Sequence, residues 1–421
     1  MGLALKGKAC VAPSDHENQN LYFRISWSWD TLASMLPRPR LEAAIRRALA
    51  RARGVVLAGP RQAGKSTLAQ RFVPREHANY FDLEYPPDAQ RLADPVTVLE
   101  KLEGLVVIDE VQREPAMFPL LRALMDRSDH PGQFLLLGSA SPSLARQAGE
   151  SLLGRVEVVE VAGFDIAEVM TGASWDEAKC DKLWLRGGFP RSWLAATDED
   201  SFAWRYGAIA QHVQSDLPQF GLGVEAPAML RFWTMLAHYH GQIWSAADPA
   251  RSLGVSEPTV RRYLDILTQT MMVRQLQPWH ENIGKRQVKS PKIYFRDTGL
   301  LHALMGVRTL PELLTNPRAG ASWEGFALEQ VLRIAQPDQA WFWATHQGAE
   351  LDLLMFHGTR RVGVEFKRAA APKPTPSMFI AAEDLKLDEL YVVYPGLHRY
   401  PMAPGIEAIP LWGLLPALAS R

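Results

Sequence analysis

At 421 residues the chain exceeds one ordinary core of about 100–200 residues, so two or three domains are expected. Hydrophobic residues at 47% and charged residues at 22% exclude disordered and fibrous classes, and 46 Lys plus Arg against 46 Asp plus Glu leave no net field that selects DNA or an anionic membrane. Cys10 and Cys180 are too few for a disulfide framework or a structural zinc site, which fits a reducing cytoplasm, and no apolar run reaches the roughly 18–20 residues of a membrane span.

Residues 1–34 read as an unstructured extension, since a polar stretch at 14–20 follows the start and no apolar region is long enough for a secretory signal. Ordinary patterning begins at Met35, where Pro37-Arg38-Pro39-Arg40 leads into an amphipathic stretch at 41–52. Met35 is therefore a candidate start codon, to be checked by mass spectrometry of the natural N-terminus.

Between residues 55 and 161, short β-rich runs at 55–58, 80–83, 105–108, 134–137 and 155–161 alternate with helical patterns at 66–72 and 118–127. Parallel strands need helical crossovers, so this alternation predicts an α/β domain with helices on both faces of a parallel sheet, assigned to residues 35–165. Gly59-Pro60-Arg61-Gln62-Ala63-Gly64-Lys65-Ser66 fits GxxxxGK[ST] between a strand and a helix. The chemistry requires these residue types. Gly59 and Gly64 let backbone N–H groups curl around phosphate, Lys65 neutralises the β- and γ-phosphates, and the Ser66 hydroxyl ligates magnesium.

The buried run Leu105-Val106-Val107-Ile108 ends in Asp109 and Glu110, which puts both acids at the carboxyl edge of the sheet. There Asp109 would hold the metal and Glu110 would polarise the attacking water. The following strand ends at Ser139, where a hydroxyl could reach the γ-phosphate or that water; ordinary strand-end capping is the plain alternative.

Residues 166–310 turn helical and rich in tryptophan, which core packing explains better than base stacking. Residues 245–267 read as helix-turn-helix, with Gly254 at the turn, Ser256-Glu257-Pro258 opening the second helix, and a strand from 272 starting a wing. Arg261 and Arg262 could face DNA, and Lys285, Arg286, Lys289 and Lys292 could hold phosphates; Asp248, Glu257 and Asp265 dilute the charge and leave packing or protein contact as the alternative.

Residues 311–421 read as a third domain: a helix at 323–333, then strands at 340–343, 350–356, 362–367 and 389–393. Glu324 on the helix, Asp352 on one strand, and Glu365 and Lys367 on the next resemble a restriction-nuclease-like core. A carboxylate pair there could hold magnesium while Lys367 orients water, although an E-x-K strand is also a common structural pattern.

The ordered series Gly59–Thr67, Ile108-Asp109-Glu110-Val111-Gln112, Gly138-Ser139-Ala140-Ser141-Pro142, Ser151-Leu152-Leu153-Gly154-Arg155, Arg186-Gly187-Gly188-Phe189-Pro190, Ser290-Pro291-Lys292-Ile293-Tyr294-Phe295 and Val364-Glu365-Phe366-Lys367 resembles a prokaryotic family. It is the AAA-type P-loop ATPase family that opens with GPRQ-x-GK[ST]-T, through Thr67 here, and carries a C-terminal domain of unknown function. The resemblance implies ATP rather than GTP, and places Arg155 where an arginine could contact the γ-phosphate, in cis or from a neighbouring subunit of a homo-oligomer; a surface arginine at a strand start is the alternative. Three function classes compete: an ATP-dependent switch or motor whose C-terminal parts recognise DNA or a protein partner, an ATP-regulated metal-dependent nuclease, and a regulator that binds nucleotide without hydrolysis. The carboxylate of Glu110 beside the metal ligand favours the first over the third.

Overall fold

In the computed structural model, which describes residues 36–414 except 128, 142–143, 145–148, 171–174, 218–224 and 283, the early apolar runs form a five-stranded sheet. The expected N-terminal extension and candidate start at Met35 lie outside the described residues. Strands β1 (Gly54–Gly59), β2 (Tyr80–Asp82), β3 (Val106–Asp109), β4 (Phe134–Ser139) and β5 (Val156–Glu160) are all parallel, in the order β2-β3-β4-β1-β5.

Period-two alternation sends Val56, Ile108 and Leu136 to one face, where helix α3 (Met117–Asp126) covers them with Phe118, Leu121 and Met125. Val55, Leu57, Leu135 and Leu137 line the other face with Ile45 and Ala48 of α1 (Pro39–Leu49) and Leu68 of α2 (Lys65–Ala69). Fully burying each Val, Leu or Ile contributes roughly 1.5–3 kcal/mol, so the two faces hold the sheet edge rigid beneath its loops. β5 is one of the two edge strands and is only half-buried, with Val158 and Glu160 exposed and Glu157 paired with Arg51 at 2.6 Å; charges of this kind discourage further strand pairing.

The middle of the chain is helical: α4 (Glu177–Arg186), α5 (Asp198–Gln211) running into a π-helical turn at His212–Asp216, α6 (Ala226–His238), α7 (Ala247–Leu253) and α8 (Glu257–Gln269). Gly254 ends α7 in the left-handed region at φ 68°, and Ser256 caps α8 by accepting the Thr259 N–H at 3.3 Å. Strands β6 (Gln242–Ile243), β7 (Val273–Leu276) and β8 (Lys292–Phe295) make a three-stranded sheet with β8 central, and α9 (Thr298–Leu304) follows. Trp184, Trp193, Trp233 and Trp244 are all buried, so they pack the interior.

The last part pairs α10 (Ala319–Ala335) with a six-stranded mixed sheet of order β13-β14-β12-β11-β10-β9. β9 (Gln339–Ala344), β10 (Glu350–His357), β11 (Arg360–Phe366) and β12 (Glu389–Tyr394) correspond to the expected strands. β13 (Tyr400–Ala403), β14 (Ile406–Pro410) and the helix α11 (Pro376–Asp384) extend the unit beyond that expectation. β10 and β11 are antiparallel and close through Gly358 at φ 59°. Residues from Arg38 onward pack as one compact unit, and among the described residues no helix is long and apolar enough to cross a membrane.

Candidate functional site

Strand register brings the nucleotide-binding candidates to one edge. Gly59 of β1 lies beside Ser139 of β4, and Asp109 of β3 lies beside Asp82 of β2, all at strand carboxyl ends. Because β4 is inserted between β1 and β3, Ser139 stands between the phosphate loop and the acidic strand end. Gly59 has no room for a side chain, since a Cβ would stand 1.9 Å from the Val161 carbonyl oxygen. Gly64 enters α2 at φ 89°, a conformation that favours glycine.

Lys65 is buried, and its Nζ donates to the carbonyl oxygens of Gly59 and Pro60 at 3.0 and 2.9 Å. Burial pushes the Lys65 ammonium below its ordinary range, opposed by Glu110 and Asp109. Asp109 is buried too; Tyr80 Oη donates to its Oδ2 at 3.0 Å, and Ser66 hydrogen-bonds to it. Burial raises the Asp109 carboxyl, and it likewise raises Glu110. Glu110 adopts φ 54° directly after the strand, which turns its backbone into a short 3-10 turn, and Gln112 donates to its carboxylate. Ser139 Oγ and Gln112 Oε1 are buried without a hydrogen-bond partner within the chain, Ser139 at the strand end between the phosphate loop and the acidic strand.

The hydroxyl of Ser66 touching the Asp109 carboxylate gives two hard oxygen donors beside an ammonium, a donor set that fits magnesium.

Arg155 belongs elsewhere. Gly54 N–H bonds the Arg155 carbonyl at the amino end of the sheet, and its guanidinium pairs with Asp126 at 2.7 Å. The length of β5 therefore separates it from the phosphate loop, which removes the expected contact within one chain. Sequence reasoning missed a partner of the loop instead: Arg61 bonds Asp216 of the π-helical turn at 2.8 Å, and His212 Nδ1 bonds the other Asp216 oxygen at 2.9 Å. Burial would raise Asp216, but His212 and Arg61 outweigh it and hold the carboxyl below its ordinary value.

Arg261 and Arg262 are both exposed on α8, with Arg261 paired to Glu257 at 3.2 Å. The expected basic neighbourhood is smaller than the sequence suggests. Lys285 is tied to Asp384 at 2.6 Å, and Lys292 is buried.

The four C-terminal candidates do converge, around residues the sequence did not flag. Lys292 Nζ lies 3.3 Å from both Glu324 and Asp352 and also pairs with Glu350, while Tyr294 Oη donates to Glu324 at 2.5 Å. Lys367 pairs with Glu365 at 2.7 Å. Burial, with Asp352 close by, pushes Glu324 up to about 7 and Glu365 up to about 8. Burial would raise Asp352 as well, but Lys292 and Lys367 outweigh it and hold it below its ordinary value. The signal for Lys292 was present: a lysine in a strand whose other residues, Ile293, Tyr294 and Phe295, are all core types.

Residues 51–170 match the family described as AAA domain, residues 177–310 that described as Domain of unknown function (DUF8612), and residues 319–414 that described as Domain of unknown function (DUF4143). The chain is 50% identical over 376 residues to Uncharacterized protein Mb2031c of Mycobacterium bovis, covering 89% of this chain and 84% of that protein. Uncharacterized protein Rv2008c of Mycobacterium tuberculosis gives the same identity and coverage, 50% over 376 residues, 89% and 84%. Among solved structures, the Walker-type ATPase paby2304 of Pyrococcus abyssi is 14% identical, with 65% of this chain and 97% of that chain covered at a TM-score of 0.47.

Proposed function

The chain belongs to the family of these two mycobacterial proteins, with an AAA domain followed by two domains of unknown function, and from that premise we propose that it is a magnesium-dependent ATPase acting as a switch or motor. The observation that carries the reading is the convergence of Lys65, Ser66, Asp109, Glu110 and Ser139 on one sheet edge, with the Ser139 hydroxyl left without a partner.

In this reading residues 59–67 wrap the phosphates, and Lys65 exchanges its two carbonyl acceptors for β- and γ-phosphate oxygens. Ser66 and Asp109 would hold magnesium, which would supply charge neutralisation there. Ser139 orients the γ-phosphate or the water. Glu110 accepts a proton as the water oxygen bonds to the γ-phosphorus and the bond to the bridging oxygen breaks, releasing ADP and phosphate. Arg155 is left to act on a neighbouring subunit of a homo-oligomer, because its own chain's site lies at the opposite sheet edge.

The C-terminal parts are read as the recognition elements, for DNA or a protein partner. The order helix, strand, helix, helix, strand, strand from α6 to β8 supports a winged-helix reading, with Arg261 and Arg262 facing solvent. Helix α10 against β10 and β11, with Glu324, Asp352, Glu365 and Lys367 together, supports a restriction-nuclease-like fold, which by itself says nothing of cleavage. The test of the ATPase is phosphate release from ATP by the purified full chain and by Lys65→Ala. Turnover that needs magnesium and disappears in Lys65→Ala supports the reading; no turnover under any condition, with or without DNA, overturns it.

A further inference from the structure

The carboxylates around Lys292 form a cage that already contains a cation. Glu324 comes from α10 and Glu350 and Asp352 from β10, and all three meet one ammonium whose side chain is 3% exposed. An ammonium has three N–H donors and no acceptor, so three carboxylates satisfy it fully. Other groups of the cluster are engaged as well: Tyr294 Oη donates to Glu324, the Phe366 N–H donates to Asp352 Oδ2 at 3.0 Å, and Lys367 pairs with Glu365. Among the described residues, no three His, Cys, Asp or Glu side chains are grouped so as to hold a metal ion.

We propose that the Lys292 ammonium, carried in on β8 from the middle of the chain, is the resident cation of this cage, and that the C-terminal domain consequently takes no divalent metal and acts by contact rather than by metal-assisted phosphodiester cleavage. A magnesium ion needs oxygen ligands at about 2.0–2.1 Å in near-octahedral array, and here Glu324 Oε1, Glu350 Oε1 and Asp352 Oδ1 are turned toward Lys292 Nζ and Glu365 toward Lys367. A divalent ion entering beside a buried ammonium would meet like charge where solvent screening is weak. β8 is also the central strand of its sheet, between β6 and β7, which fixes the lysine in place. The inference concerns the C-terminal domain alone and stands whether or not the phosphate-loop edge hydrolyses ATP.

The experiment is a Mn²⁺ titration of the nucleotide-free full chain followed by electron paramagnetic resonance, on the parent, Asp352→Asn, Lys292→Met and Lys292→Met/Asp352→Asn, with circular dichroism to establish folding. The parent and Asp352→Asn should give the same free-Mn²⁺ curve. Lys292→Met, which keeps the length and removes the charge, should gain Mn²⁺ affinity by at least about tenfold, and the second substitution should abolish that gain. A parent site that Asp352→Asn removes would overturn the proposal, and so would a folded Lys292→Met protein with no gain. Should Lys292→Met fail to fold, the parent, Asp352→Asn and Lys292→Arg decide it: identical curves for all three support the resident cation, and any Asp352-dependent Mn²⁺ binding refutes it.

Discussion

At the phosphate loop, Lys65 bonds two carbonyl oxygens of its own loop and leaves the Ser139 hydroxyl unpaired, whereas at the C-terminal cluster Lys292 and Lys367 pair with every carboxylate present. Both places combine buried carboxylates with a buried or half-buried lysine near strand ends. They differ in what is left unsatisfied. The first keeps buried polar atoms with no partner in the chain, and the second pairs each of its carboxylates with a lysine of the same chain. Residue types therefore identify a kind of chemistry, and the counter-ion decides whether the site is open to it.

The largest expected effect would break the comparison at its open end. Glu110→Gln should keep nucleotide affinity and lose turnover by about 10²–10⁴-fold, the usual contribution of a positioned general base, measured as kcat beside a binding titration. Turnover equal to the parent's would take Glu110 out of the mechanism. At the closed end, Lys292→Met leaves three carboxylates without their ammonium, and breaking a buried pair in this way should cost about 3–5 kcal/mol in urea unfolding, with partial recovery in Lys292→Met/Asp352→Asn. A change near zero would mean that the ammonium does not neutralise the cage.

How much of this was legible depended on sequence distance. The phosphate loop, the strand ending at Asp109 and Glu110, and strand β4 ending at Ser139 could be read because each is a local pattern, a covalent spacing or a buried apolar run beside a turn. Helices α7 and α8 could be read from Gly254 and the Ser256 cap, which act over three or four residues. Asp216 could not, because its bond to Arg61 crosses 155 residues and is made from a π-helical turn with no local signature. Lys292 looked like a phosphate contact because its strand follows a basic stretch; only the fold carries it to Asp352, 60 residues on. For Arg155 the alternative reading, an arginine at a strand start, was legible, because in a parallel sheet a strand start lies at the amino edge, opposite the phosphate loop.

A smaller effect sharpens the closed site. Glu365 titrates near 8 in the folded protein, above its ordinary 4.5, because burial and Asp352 disfavour its charge. A carboxyl raised by folding contributes stability that is complete below its unfolded value and is lost as pH rises through the folded one. Between pH 5 and 8 the parent should lose stability on the order of 1 kcal/mol per pH unit from this group, and Glu365→Gln should flatten that slope. Urea midpoints at pH 5.5 and 7.5 check it; an unchanged slope removes Glu365 as its source. Smallest of all should be Arg155→Ala, which breaks an exposed pair with Asp126 and should leave turnover of the monomer unaltered. A loss that appears only as protein concentration rises would assign Arg155 to a neighbouring subunit's site.

The contrast between an open and a closed cluster is tested most directly by the number of Mn²⁺ ions bound per chain, with and without a non-hydrolysable ATP analogue. The account predicts a single ion, bound only when the nucleotide is present, lost in Lys65→Ala and Asp109→Asn and untouched by Asp352→Asn. A bound ion that needs no nucleotide and vanishes in Asp352→Asn would contradict it.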